Sequence, residues 1–301
     1  MLDRIIRTAS LTKRFGTFAA VDGIDLSVRT GRITGFLGRN GAGKSSTIKM
    51  LLGMIAPTSG EGWVCGLRIQ DGGESIRIRR QVAYVGEDKG LYGYMTVEQL
   101  VRFTRSFYPD WQTDVERRLL AHYQLPPKRK VKALSKGMRT KLALLLALAR
   151  RPALLVLDEP TEGLDPVSIE ELLQFLVTAP ANGTTVFFSS HQLSEVERIA
   201  DDIVMIDRGR VALDLPLDQI RDNYRRVTLG FTGQPPEVPQ GLAGVEHVRV
   251  SGRHVAIIAS HNAEAIAEFG RERRAVDIQI APVSLRELFL ETVQEDRNVL
   301  V

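Results

Sequence analysis

Unbroken apolar runs alternate along the chain with stretches of helical spacing. Ile33-Thr34-Gly35-Phe36-Leu37, Val82-Ala83-Tyr84-Val85, Ala153-Leu154-Leu155-Val156-Leu157 and Thr184-Thr185-Val186-Phe187-Phe188 carry apolar residues on both faces and read as buried strands. Residues 96–107 and 113–123 read as helices, and a longer helical pattern covers 134–150. Beyond about residue 222 the pattern changes. Short strands are expected over 226–231, 245–250, 254–259 and 275–280, and helices over 262–271 and 284–293. A proline-rich loop, Gln234-Pro235-Pro236-Glu237-Val238-Pro239, interrupts them. The expectation is an α/β domain over 1–221 and a small α+β appendage over 222–301.

The first buried strand leads into Gly38-Arg39-Asn40-Gly41-Ala42-Gly43-Lys44-Ser45-Ser46, which satisfies G-x-x-x-x-G-K-[ST]. A helical segment follows at once, and this strand–loop–helix context is what such a loop requires. Gly38, Gly41 and Gly43 let consecutive backbone N–H groups converge on phosphate oxygens, and the helix adds the positive end of its dipole. Asn40 and Ser46 lie within the same cradle. Lys44 would reach the β- and γ-phosphates, and the Ser45 hydroxyl would ligate Mg²⁺. These residues point to a nucleoside triphosphate, with ATP and Mg²⁺ as the expected ligands.

The third buried strand ends in Asp158-Glu159-Pro160. A carboxylate at the end of such a strand is suited to hold Mg²⁺, which fits Asp158. Strand side chains alternate in direction, so Glu159 must do something else. Polarising the attacking water, or accepting its proton, is the chemistry left to it. The competing reading is an acidic turn that caps the next helix.

Four further segments occur in a recognisable order: Leu134-Ser135-Lys136-Gly137-Met138-Arg139, Asp158-Glu159-Pro160, Gly163-Leu164-Asp165-Pro166 and Ser189-Ser190-His191. With the phosphate loop they resemble the signature, Walker B, D-loop and switch-histidine motifs of an ATP-binding-cassette nucleotide-binding domain, over residues 5 to 220. The resemblance implies a P-loop NTPase fold of the ABC type, with a helical subdomain at about 88–150. It further implies two such domains stacked head to tail, either two copies or one copy with a paralogous ATPase. Ser135 and Gly137 would bind phosphate across that interface, Asp165 would sit at the dimer contact, His191 would sense the γ-phosphate and Phe15 would stack on adenine. Ser135 suits the part on chemical grounds, because it stands at the N-cap of a helix.

Two departures from the family pattern change the local charge. Lys136 and Met138 stand where the signature usually carries glycine and glutamine. Glu87 stands where the Q-loop usually carries glutamine; a carboxylate there can ligate Mg²⁺ but adds repulsion near the γ-phosphate.

Composition narrows the partners. The net charge of +4 is small for 301 residues, and the basic cluster Lys128-Arg129-Lys130-Val131-Lys132 has no aromatic interleaving, so no nucleic acid is expected. A single cysteine, Cys65, excludes an internal disulfide framework. The most apolar stretch is broken by Arg150-Arg151-Pro152, so passage across a membrane must come from separate integral-membrane subunits. The expected location is cytoplasmic, peripheral on the membrane. Eight of the nineteen aromatics fall between Tyr84 and Tyr123. Tyr92, Tyr94 and Trp111 are the candidates for a groove that receives a helix from the membrane subunit. A soluble cassette ATPase acting on ribosomes or nucleic acid remains the alternative, although one cassette without sustained heptads disfavours it.

Overall fold

A computed structural model describes residues 3–70, 72–239 and 241–294. They gather into two compact units, Met1–Asp214 and Leu215–Val301. The boundary expected at 221/222 falls inside the helix Leu217–Asn223, which belongs to the second unit.

The first unit is built on a six-stranded sheet in the order Arg210–Pro216, Asp202–Asp207, Ile33–Leu37, Thr185–Ser190, Leu154–Asp158, Val82–Val85. Ile33–Leu37, Leu154–Asp158 and Thr185–Ser190 are buried at every position, because parallel pairing in the sheet interior leaves neither face wet. Phe36 and Phe187 stack at 5.2 Å between ring centroids in the core. A second, antiparallel sheet holds Arg4–Phe15, Phe18–Ile24, Ser27–Arg29, Ser59–Val64 and Leu67–Arg68. Its apolar positions Ile6, Leu11, Val21 and Val64 join Phe36, Ile48 and Phe187 in one cluster.

The parallel strands all end toward the phosphate loop, as ligand-binding α/β sheets require. The helix Lys44–Leu51 begins at Gly43, whose φ of 109° is open only to glycine. A Cβ at Gly43 would also collide with the Ala20 carbonyl oxygen, so the loop lies tight against the antiparallel sheet.

The helical subdomain carries Val97–Arg105, Thr113–His122 and Lys136–Leu148. Thr96 and Gln99 form a reciprocal capping box at the first of these. In the second unit the sheet order is Val245–Ser251, His254–Ala259, Arg225–Gly230, Asp277–Pro282, antiparallel throughout. The helix Ala263–Glu272 packs Ile266 and Phe269 against Val227, Leu229 and Val255. Among the described residues no helix is long and apolar enough to cross a membrane.

Candidate functional site

The ends of three neighbouring parallel strands converge on an open cleft of about 580 Å³. Ile33–Leu37 delivers the phosphate loop, Leu154–Asp158 delivers Asp158 and Glu159, and Thr185–Ser190 delivers His191. Phe15, Asn40, Gly41, Gly43, Lys44, Ser45, Ser46, Glu87, Glu159 and His191 all border this cleft. A Cβ at Gly41 would project into open space, so the loop backbone is free on the cleft side.

The Lys44 ammonium donates to the Gly38 carbonyl at 2.8 Å and lies 3.1 Å from Glu159 Oε1. That second contact is an ion pair without hydrogen-bond alignment, since Oε1 is buried and accepts no directed bond. Glu159 Oε2 lies 2.9 Å from His191 Nδ1 and also accepts the His191 backbone N–H. One carboxylate therefore bridges the phosphate-loop cation and the histidine. Glu159 takes a φ of 46°, a left-handed conformation that turns the chain sharply after the strand. Ser189 fixes that turn: its hydroxyl donates to Asp158 Oδ1 at 2.6 Å and accepts the Glu159 N–H at 3.0 Å.

Behind this row lies Glu195, which is buried and accepts from Thr161 Oγ1 at 2.8 Å and from Ser190 Oγ at 3.4 Å. Burial pushes its carboxyl above the usual carboxylate range. Glu87 is likewise raised, chiefly by the negative charge of Glu162, with burial and Asp88 adding.

Ser135, Gly137 and Asp165 do not border the cleft. Ser135 is the N-cap of Lys136–Leu148 and accepts the Met138 N–H. Asp165 caps Pro166–Thr178: its Oδ1 accepts the N–H groups of Val167 and Ser168, and its Oδ2 accepts the Ser168 hydroxyl. Gly137 packs against that same serine. Phe18, Glu162 and Gln192 border the cleft without having been singled out in the sequence, and Gly163 of the D-loop segment borders it as well. Phe18 lies three residues after Phe15, both rings are largely exposed, and the turn between them is the only signal that pairs them.

Trp111 corrects one expectation. It is buried, and its indole N–H donates to Glu116 at 2.6 Å, so it belongs to the core of its subdomain. Tyr92 and Tyr94 are exposed and extend, through edge contacts, to Phe103 and Phe107.

The family profile described as ABC transporter matches residues 21–162. The bacitracin transport ATP-binding protein of Bacillus licheniformis is 35% identical over 228 residues, 75% of this chain and 74% of the relative. The chain belongs to the ABC transporter ATP-binding proteins. The ABC transporter ATP-binding protein YtrB of Bacillus subtilis is 27% identical over 291 residues, 95% of this chain and 97% of its own length. A solved ATP-binding subunit of an ABC transporter superposes with a TM-score of 0.66 at 33% identity, over 72% of this chain and 92% of that one. The ABC cassette is thus an ATP-binding and ATP-hydrolysing subunit of the kind coupled to transport.

The cleft also fits a hard divalent cation. Among the described residues no group of three or more His, Cys, Asp and Glu is arranged to hold a metal alone. Mg²⁺ commonly binds through one or two carboxylates together with substrate phosphates; Ser45 and Glu87 border the cleft, whereas Asp158 lies outside its lining, one residue before Glu159.

Proposed function

We propose that this ABC protein hydrolyses Mg²⁺–ATP as a dimer and so drives export through separate integral-membrane subunits. The observation that carries the reading is the Glu159 carboxylate held between Lys44 and His191 at the mouth of the phosphate loop.

In this reading the glycine cradle and Lys44 bind the β- and γ-phosphates, and Phe15 with Phe18 flank the adenine. Ser45, Asp158 and Glu87 would hold Mg²⁺, which when bound offsets the phosphate charge. Glu159 orients the attacking water and takes its proton. His191 holds the carboxylate through Nδ1 and faces the γ-phosphate. Ser189 keeps the two acids in divergent directions, so that one serves the metal and the other the water. Ser135 and Gly137 of a second copy, or of a paralogous ATPase, close the site from the opposite side. Their distance from this chain's own cleft is what a shared site requires.

Export is favoured by what the relatives are named for. They include a Nod factor export ATP-binding protein of Ralstonia nicotianae, 35% identical, and a daunorubicin/doxorubicin resistance ATP-binding protein of Streptomyces peucetius, 38% identical. The exposed ladder of Tyr92, Tyr94, Phe103 and Phe107 is suited to an amphipathic helix of the membrane subunit. The protein would then lie on the cytoplasmic face of the membrane.

Affinity purification of Glu159→Gln from native membranes with Mg²⁺–ATP tests this. A polytopic membrane protein in stoichiometric amount is expected. Ribosomal or nucleic-acid components in its place would contradict the transport reading.

A further inference from the structure

Glu195 sits on the short helix Leu193–Ile199, four residues after His191, and is buried. Burying a carboxyl is costly unless its hydrogen bonds are made, so its presence there calls for a compensating role. The helix itself is firmly seated. Its Val196 is fully buried, and a Cβ at Gly35 of the strand Ile33–Leu37 would collide with Val196 Cγ1. Glu195 is thus presented from a helix packed against the strand that delivers the phosphate loop.

From that seat the carboxyl joins the two loops that carry the base and the histidine. Glu195 Oε2 accepts the Thr161 hydroxyl at 2.8 Å and the Ser190 hydroxyl at 3.4 Å. Thr161 stands two residues after Glu159, and Ser190 stands immediately before His191. Ser190 Oγ also accepts the Gln192 N–H at 2.9 Å, which orients its own proton toward Glu195. Successive strand residues face opposite ways. Ser189 accordingly turns to Asp158 and the Glu159 amide, and Ser190 turns to Glu195. The two loops are therefore fastened twice. One fastening is the contact of Glu159 with His191 in the cleft, and the other is Glu195, which does not border the cleft. Nucleotide and water compete for the first. The second is out of their reach.

We propose that Glu195 is a positioning residue that ties Thr161 to Ser190 and so fixes Glu159 relative to His191. The base then keeps its aim at the attacking water when its direct contact with the histidine is given up. This rests on the ATPase reading above and adds to it a residue that touches neither nucleotide nor metal.

The test is ATP hydrolysis by the full chain carrying Thr161→Val, Glu195→Leu or both, in the wild-type and Glu159→Gln backgrounds. Misplacing a reacting group by 1 Å can cost about 10²-fold, and loosening one loop should cost about tenfold in kcat. KM should change less than about twofold. The double variant should lose no more than either single one, because both changes break the same tie. With Glu159→Gln in place, single-turnover rates should fall less than about twofold further. Thr161→Ser keeps the hydroxyl. Glu195→Gln keeps the accepting oxygen and places its amide where Oε1 makes no hydrogen bond. Both should retain at least about half of the activity. An unchanged kcat in Thr161→Val, losses that add in the double variant, or an undiminished loss beside Glu159→Gln overturns the proposal. If Glu195→Leu does not fold, Thr161→Val and Thr161→Ser in the two backgrounds decide it alone. Failure of the ATPase reading would look different, because the wild-type chain would then show no hydrolysis that Lys44→Ala abolishes.

Discussion

Lys44 Nζ lies 3.1 Å from Glu159 Oε1, and both side chains are buried. The cation of the phosphate loop and the candidate base are thus electrostatic partners before either meets a phosphate. Breaking an enclosed ion pair by removing one partner costs about 3–5 kcal/mol, and a pair at the edge of an open cleft costs less. Lys44→Met should therefore lower the thermal midpoint as well as nucleotide affinity. Adding Glu159→Gln should recover the midpoint and leave the affinity low. Thermal melts beside nucleotide titrations separate the two effects.

Ser189 is fully buried and serves both acids, as donor to Asp158 and acceptor from the Glu159 amide. Ser189→Ala leaves a buried N–H unsatisfied at a residue already in a left-handed conformation. The expected cost is about 1–3 kcal/mol, read as a shift of the denaturant midpoint. The kcat should fall with it, because the direction of Glu159 is no longer held.

Glu195 titrates higher in the folded chain than in the unfolded one, because burial disfavours its charged form. Its ionisation penalty is absent below the unfolded pKa and complete above the folded one. Glu195→Gln removes the penalty. The melting midpoint of Glu195→Gln relative to wild type should therefore be more favourable at about pH 8 than at about pH 5. A difference independent of pH would show that the carboxyl does not ionise differently on folding.

Tyr94 and Phe107 are the most exposed members of the aromatic ladder. Replacing both by alanine should weaken association with the membrane subunit about tenfold or more, as loss of aromatic anchors does. Nucleotide binding by the chain alone should be unchanged. Co-purification yield and a nucleotide titration measure the two.

Much of this arrangement was legible in the sequence because it rests on local pattern. Strands Ile33–Leu37 and Val82–Val85 coincide with their apolar runs, and Ser135 caps its helix where the helical spacing begins. What escaped depends on contacts between distant segments. Phe18 borders the cleft because the antiparallel sheet folds over the phosphate loop, and no periodicity announces that. Glu195 reads as an ordinary helical polar residue four places after His191, and only burial against Thr161 and Ser190 sets it apart. Trp111 looks like a surface anchor until its indole is seen to bond Glu116 inside the subdomain. The local bonding of Asp165 was not legible, since both of its oxygens are taken up by the cap of its own helix.

The most direct measurement is single-turnover hydrolysis by Glu159→Gln beside its equilibrium affinity for Mg²⁺–ATP. Loss of a positioned general base slows the chemical step by about 10²–10⁴-fold. The account predicts a loss in that range, with affinity within about twofold of wild type and accumulation of a closed dimer. Ordinary turnover in Glu159→Gln would contradict it, and would remove the carboxylate between Lys44 and His191 from the chemistry.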